Sequence, residues 1–288
     1  MKIRLLPGFL FPLTLFLAFL LLPSFTSSAT LSALVFVAGT VFPSLFVFLC
    51  LSSMLTASPA ASILYRLPFG VEMTVWILGV LCGFPVGARC AVQLYESGCI
   101  TKTRAEFLCG FSNLASAPFL MGVVGESLFE DSSFGGVLVV LQGIGSLLAA
   151  LLLFWIYRPS CHGIRFSATG KASSIASHIG FAAHAMLEVG GMLIFFGVAA
   201  EAVRYCMGDS RLSLLVGGLL EFSAGCREAS LADGIGGRWM ALLFVGFGGL
   251  CVLGQISAVT KGKLSMKPYM LGKFFQTASM ALLFLLLT

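Results

Sequence analysis

The stretch Gly83-Phe84-Pro85-Val86-Gly87-Ala88-Arg89-Cys90-Ala91 interrupts an apolar run. The stretch Glu221-Phe222-Ser223-Ala224-Gly225-Cys226-Arg227-Glu228-Ala229 echoes it 138 residues later, with Phe, Gly, Arg and Ala at matching places. A second pair follows in the same order: Gly110-Phe111-Ser112-Asn113-Leu114 and Gly246-Phe247-Gly248-Gly249-Leu250, 136 residues apart. Two motifs at nearly one offset point to an internal duplication. Gly/Pro interruptions at corresponding places in two apolar halves point to a binding site between them.

The 288 residues are 58% hydrophobic and 10% charged, where soluble domains carry about 25% charged residues. The composition is that of an integral membrane protein in a lipid bilayer. The net charge of +5 therefore says nothing of nucleic acid, and no nucleic-acid partner is expected; what matters is how the charge falls across the loops. The nine cysteines lie mostly in apolar runs, without CxxC or a zinc-type Cys/His spacing, so no metal and no cofactor are expected. No GxxxxGK[ST], HExxH or GxSxG occurs, which speaks against an ATPase or a membrane protease of those types and against an enzyme altogether.

Seven apolar runs read as membrane spans: Leu5–Phe25 (or a cleaved signal, with small residues at 27–29), Leu31–Leu55, Ala105–Phe129, Phe134–Tyr157, His178–Tyr205, Trp239–Thr260, and a last one from about Pro268 to Leu287. Two more, 71–95 and 212–229, are broken in the middle, the second at Ser223-Ala224-Gly225. If every run crossed, the basic connector 158–171 could not share a side with both ends of the chain. With the broken runs folded as re-entrant hairpins, the count works. Lys2, Arg4, Arg66, Lys102, Arg104, Arg158, Arg165, Lys171, Lys261, Lys263, Lys267 and Lys273 then fall on the cytoplasmic side, and Arg204, Arg211, Arg238, Glu130 and Asp131 on the other. Three crossings separate the hairpins, so they enter from opposite faces as an inverted repeat. The expected fold is an all-α polytopic membrane protein of about seven transmembrane helices plus two hairpins. Its parts are an N-terminal anchor (1–30), a first repeat (31–157), a cytoplasmic connector (158–176) and a second repeat (177–288).

The candidate site lies where the hairpin tips and helix breaks would meet. It comprises Gly83, Pro85, Gly87 and Arg89, then Ser112, Asn113 and Ser116 before Pro118, then Ser223, Gly225 and Arg227, and Gln255 near the second break. An Arg at bilayer depth costs about 2.5–3.5 kcal/mol on insertion scales, so two at equivalent tips need compensation. One reading has Arg89 and Arg227 aimed at one another, each gripping a carboxylate of a two-headed anion. The rival is ion pairing, Arg89 with Glu72 or Glu188 and Arg227 with Glu228 or Glu221, or snorkelling to the interface. Glu188 is the candidate coupling residue, for H+ or Na+, with helix–helix hydrogen bonding as its rival. Asn113 and carbonyls freed by Pro118 are candidates to hold a cation or a substrate hydroxyl, against a simple kink.

Val41-Phe42-Pro43-Ser44-Leu45-Phe46, the GFPVGA run at 83–88, Gly98-Cys99-Ile100-Thr101, Arg104-Ala105-Glu106, Phe111-Ser112-Asn113 and Phe247-Gly248-Gly249-Leu250-Cys251-Val252-Leu253-Gly254-Gln255 together resemble the YlbJ-type sporulation integral membrane proteins, which carry nucleoside-recognition Gate domains. The resemblance covers about residues 31–280. It implies a multi-pass cell-membrane protein of an endospore former, placed in the mother-cell-derived membrane around the forespore, and kinship with concentrative nucleoside transporters. It also implies movement of dipicolinate, a dicarboxylate. The family carries a basic residue, often Lys, at the positions of Arg89 and Arg227, and this chain departs from its Asn-Ser-Gly-Pro-like break at 113–118.

The expected function is secondary transport of a small organic anion, dipicolinate foremost. Nucleoside or nucleobase transport is the alternative, and a non-transporting sporulation scaffold, with no solvated cavity between the hairpins, is the other. Homo-oligomerisation is left open.

Overall fold

The computed structural model describes residues 13, 16–17, 19–58, 67, 69–160, 174–232 and 234–288. The architecture is all-helical among these. Five helices are long and apolar enough to cross a membrane: Pro23–Val41, Ser132–Tyr157, Ile175–Met207, Ile235–Thr260 and Lys267–Leu287. The chain is a multi-pass membrane protein.

The first long element is α1 (Pro23–Phe36), which passes through a π turn at Val37–Val41 into α2 (Phe42–Ala57). Pro23 can start a helix because its missing N–H would be an orphan there anyway. Pro43 sits inside the apolar run, where it cannot donate to the turn before it; the wider π turn just upstream takes up the mismatch. The expected interruption between Phe25 and Leu31 is absent. Residues 26–30 are helical, the break falls at Leu22, and the 30/31 boundary lies inside a helix. Most of the expected span Leu5–Phe25 lies outside the described residues, as do Lys2, Arg4, Arg66, Arg165 and Lys171.

Next comes a helical hairpin, α3 (Gly70–Cys82) and α4 (Val86–Glu96), as the Gly83/Pro85 break requires. A broken helix follows: α5 (Lys102–Phe111), an unwound stretch at 112–116, and a π-wound segment Phe119–Leu128. Asp131 then caps α6 (Ser132–Tyr157) by accepting from the Ser133 and Phe134 amides at 3.0 and 3.2 Å. Beyond the connector comes α7 (Ile175–Met207), 33 residues long. A second hairpin follows, α8 (Arg211–Leu220) and α9 (Phe222–Ser230). Its break is at Glu221, not at 223–225, because the Glu221 carboxylate caps α9 and lets the helix begin at Phe222. Then come α10 (Ile235–Phe247) and α11 (Gly249–Thr260), divided at Gly248, and α12 (Lys267–Leu287).

Contacts sort the loops into two ends. At one end Lys263 pairs with Glu96, the Ser265 amide donates to Glu106 Oε1 (2.8 Å), and Ser53 Oγ lies 2.8 Å from His178 Nδ1. At the other Arg238 pairs with Asp131 (2.8 Å), and Phe25 meets Tyr205 (4.8 Å). The first hairpin starts and finishes at the first end, the second at the other. Two cations counted as loop charges do not belong to loops. Arg104 is buried and grips Glu72 with both prongs, at 2.7 and 2.9 Å. Lys273 is buried on α12.

The Glu72–Arg104 pair fastens the root of the first hairpin to the broken helix behind it. Removing one partner of such a pair leaves a buried charge uncompensated. Glu72→Gln is expected to cost about 3–5 kcal/mol, read as a lower thermal midpoint and reduced monodisperse yield in detergent. Adding Arg104→Met should restore part of the loss. A wild-type midpoint in Glu72→Gln would show the pair to be energetically neutral.

Candidate functional site

The first hairpin seats backbone on backbone. Gly79, Gly83 and Gly87 line the face that meets the unwound stretch 112–116. A Cβ at Gly79 would stand 1.9 Å from the Ser112 carbonyl oxygen, and one at Gly87 would stand 2.4 Å from both Ser112 oxygens. Gly83 also ends α3 with φ +81°, a conformation that favours glycine. Pro85 completes the turn and precedes α4.

The unwound stretch exposes peptide groups that the hydrocarbon cannot satisfy. Side chains do so instead. Gln142 of α6 holds Ala115 from both sides: its Oε1 accepts from the Ala115 amide and its Nε2 donates to the Ala115 carbonyl, each at 2.9 Å. Asn113 Oδ1 accepts from the Ala88 amide (2.9 Å), tying α4 to the break, and Nδ2 donates to the Cys109 carbonyl (2.9 Å). Ser112 Oγ donates to the Leu108 carbonyl (2.7 Å). Asn113 and Ser112 thus serve the backbone and lie behind the hairpin.

The second hairpin rests on the second break. A Cβ at Gly225 would meet Gly218 Cα at 2.4 Å, and one at Gly218 would meet the Phe244 ring at 2.3 Å. Gly248 (φ +82°) makes the break in one residue, and α11 resumes at Gly249.

The two tips meet. Phe84 and Phe222, the matching residues of the two echoing stretches, contact edge to face with centroids 5.8 Å apart. Phe222 also meets Phe119, just beyond the first break, at 5.6 Å. The Phe84 ring reaches the second break, with Cζ 3.4 Å from where a Cβ on Gly248 would be. Around them is an apolar cavity of about 50 Å³, room for one or two waters. Among the residues picked from the sequence, Gly83, Ser116, Ser223 and Gln255 line it. Gln255 Oε1 is buried without a partner among the described residues.

The two arginines do not face one another. Arg89 donates to Glu188 Oε2 at 2.6 Å and lies over the Phe181 ring at 5.3 Å. It borders a void of about 10 Å³. Arg227 is 53% exposed, 3.8 Å from both Glu201 and Glu228. It lines cavities of about 640 and 390 Å³ towards the other end. None of the described cavities is lined by both. The reason is geometric: α4 and α9 each return from the tips to their own end, so equivalent positions diverge. The expected two-sided clamp is replaced by two ion pairs on α7, one per hairpin. Glu72 pairs with Arg104 and Glu221 caps a helix, so neither serves an arginine of the tips.

Sequence reasoning passed over Gln142, the buried setting of Lys273 and the capping role of Glu221. Gln142 had a usable signal, as a polar residue within an otherwise apolar span. Lys273 was hidden by its nearness to a run of basic loop residues.

No family model matches the chain, and no solved structure matches it. A curated protein does: the sporulation integral membrane protein YlbJ of Bacillus subtilis (strain 168) is 23% identical over 301 aligned positions, covering 86% of this chain and 74% of that protein. Over most of its length the chain is similar to that sporulation membrane protein. At the centre of this chain is a paired-hairpin contact seated on glycine.

That seating is testable by adding one methyl group. Gly79→Ala is expected to lose about 1–3 kcal/mol by overpacking. Gly136→Ala, on α6 with open space beside it, is expected to gain about 0.5–1 kcal/mol from helix propensity. Thermal midpoints of the two proteins in detergent decide this; equal midpoints would mean the hairpin yields without cost.

Proposed function

We propose that this protein is a secondary transporter of a small organic anion, acting in sporulation as the name of its relative suggests, with dipicolinate the foremost substrate. The observation that carries the reading is the tip-to-tip meeting of two half-membrane hairpins, Phe84 against Phe222, over two broken helices. In this proposal the chain has seven spans, and the hairpin, broken helix and span at 70–157 recur inverted at 211–287. A scaffold has no need of paired breaks at membrane depth, which cost backbone hydrogen bonds.

Alternating access follows from α7. Glu188 and Glu201 stand 13 residues apart, about 20 Å along a helix, and each meets the arginine of one hairpin. On the Glu188 side the ion pair is tight and the space beyond it closed. On the Glu201 side the arginine is looser, and the cavity of about 640 Å³ reaches Phe36 and Ser223, which also line the tip cavity. In this proposal the carrier rests open to the face on the Glu201 side. Closing one pair while opening the other would pass the substrate across.

A second reading, transport of a nucleobase, is favoured by one feature. The unpartnered Gln255 Oε1 in a cavity walled by Phe84, Phe119 and Phe222 suits a planar ring bearing an N–H donor. Uptake of labelled dipicolinate and of nucleobases by proteoliposomes separates the two readings, and absence of any uptake returns the scaffold. Glu188→Gln should slow dipicolinate uptake about tenfold or more while changing its dissociation constant little, because a gate acts on rate rather than on the bound state. Equal uptake by mutant and wild type would remove the gate.

Orientation is tested by single cysteines in a background without the native ones. Positions 102 and 263 are expected to label from the cytoplasm and position 238 from outside, following the positive-inside rule. Labelling of 102 from outside would invert the assignment.

A further inference from the structure

Lys273 is a feature of the centre that neither the proposed gating nor the packing uses. It is 2% exposed. Its ammonium donates to Gln276 Oε1 at 3.1 Å and sits 4.8 Å above the Phe84 ring. Among the described residues no carboxylate pairs with it. The helices packed against α12 offer none: on α5, Arg104 is held by Glu72 and Glu106 accepts from the Ser265 amide; on α10, Arg238 is held by Asp131; α6 carries no acidic residue. One helical turn before Lys273, on the same face, Tyr269 is also buried and its hydroxyl has no partner among the described residues. A buried ammonium costs several kcal/mol unless it is paired, and a buried hydroxyl without a partner adds to that cost.

We propose that Lys273 and Tyr269 form a carboxylate site behind Phe84, empty of its anion while the hairpin tips touch. This rests on the transport reading and names the group that recognises the charge there. Phe84 separates Lys273 from the tip cavity: its ring lines that cavity, and the ammonium sits over the ring. The ring face holds the cation while the site is empty. When the first tip lifts, the ring leaves and the ammonium and phenol hydroxyl open to the cavity as two donors for one carboxylate. The exposed part of an aromatic carboxylate would then lie among Phe84, Phe119 and Phe222. No covalent step is involved.

The test uses the full chain in proteoliposomes with dipicolinate as the probe. Lysine acetylation by acetic anhydride is read at Lys273 by peptide mass spectrometry, with the exposed Lys263 as internal reference. Wild-type Lys273 should react slowly, Phe84→Ala should raise its rate about tenfold or more, and dipicolinate should suppress that rise. Phe84→Leu serves if the alanine variant is poorly folded. In parallel, Lys273→Met should fold with at least wild-type yield, because an unpaired buried charge is replaced by an apolar chain, yet bind dipicolinate about tenfold or more weakly. Tyr269→Phe should lose less. Wild-type affinity in folded Lys273→Met, or acetylation of Lys273 that dipicolinate leaves unchanged in a wild type that takes dipicolinate up, overturns the site. Loss of yield in Lys273→Met also overturns it, by making the ammonium structural. Protection of Lys273 by dipicolinate without uptake keeps the site and removes the transport reading. Neither uptake nor protection removes both.

Discussion

A peptide group inside hydrocarbon must find a partner within the protein, and the rest of this structure depends on how that demand is met at residues 112–116. Gln142 supplies a donor and an acceptor to Ala115, and Asn113 spends its amide on Ala88 and Cys109. Once the break is held in this way, its exposed carbonyl face becomes a flat bed. Only glycine can lie on such a bed, which explains the spacing of Gly79, Gly83 and Gly87. The hairpin is therefore not an appendage inserted beside the broken helix. The two are one unit, whose polar groups are satisfied jointly.

Arm length then places the tips. The arms of the two hairpins are 13 and 11, and 10 and 9, residues long. At 1.5 Å per residue they reach about 14–20 Å, near the middle of a core about 30 Å thick. Two hairpins of that reach entering from opposite ends must touch. What they present at the contact is Phe against Phe, beside a small apolar cavity. Large aromatic rings at this contact give sizeable burial with few rotamers to fix.

Much of this was legible in the sequence. Glycine and proline at 83–87 and 248–249, and the polar run at 112–116, marked where helices could not continue, and loop charge then sorted the ends. Side-chain destinations were less legible. Arg89 and Arg227 were placed at the tips by their position in the echo, but a helix that turns back carries its next residues away from the tip, and opposed hairpins carry them apart. Arg104 and Lys273 were read as loop cations because sequence shows how near a charge lies to a loop, not which way its helix faces. The break at Glu221 was misplaced by two residues because small residues drew attention, while the cap that ends one helix and starts the next is a carboxylate. The helix Pro23–Phe36 ran through the expected loop at 26–30, where small and polar residues had suggested a break.

The two halves differ most where they correspond most closely. Gln142 on α6 and Gln276 on α12 are both fully buried, each on the helix that follows a break, 134 residues apart. The first break is long and needs its glutamine as a clamp. The second is made by Gly248 alone, α11 restarts at once, and there is no free peptide stretch for a glutamine to hold. Gln276 is thereby released to accept from Lys273. A shorter break thus carries a chemical consequence: the side chain that in one half satisfies the backbone can, in the other, hold a buried cation against the ring of the opposite hairpin's tip. The first half keeps its amide for structure. The second has spare polar capacity at the same depth, and that is where Lys273, Tyr269 and the unpartnered oxygen of Gln255 are found.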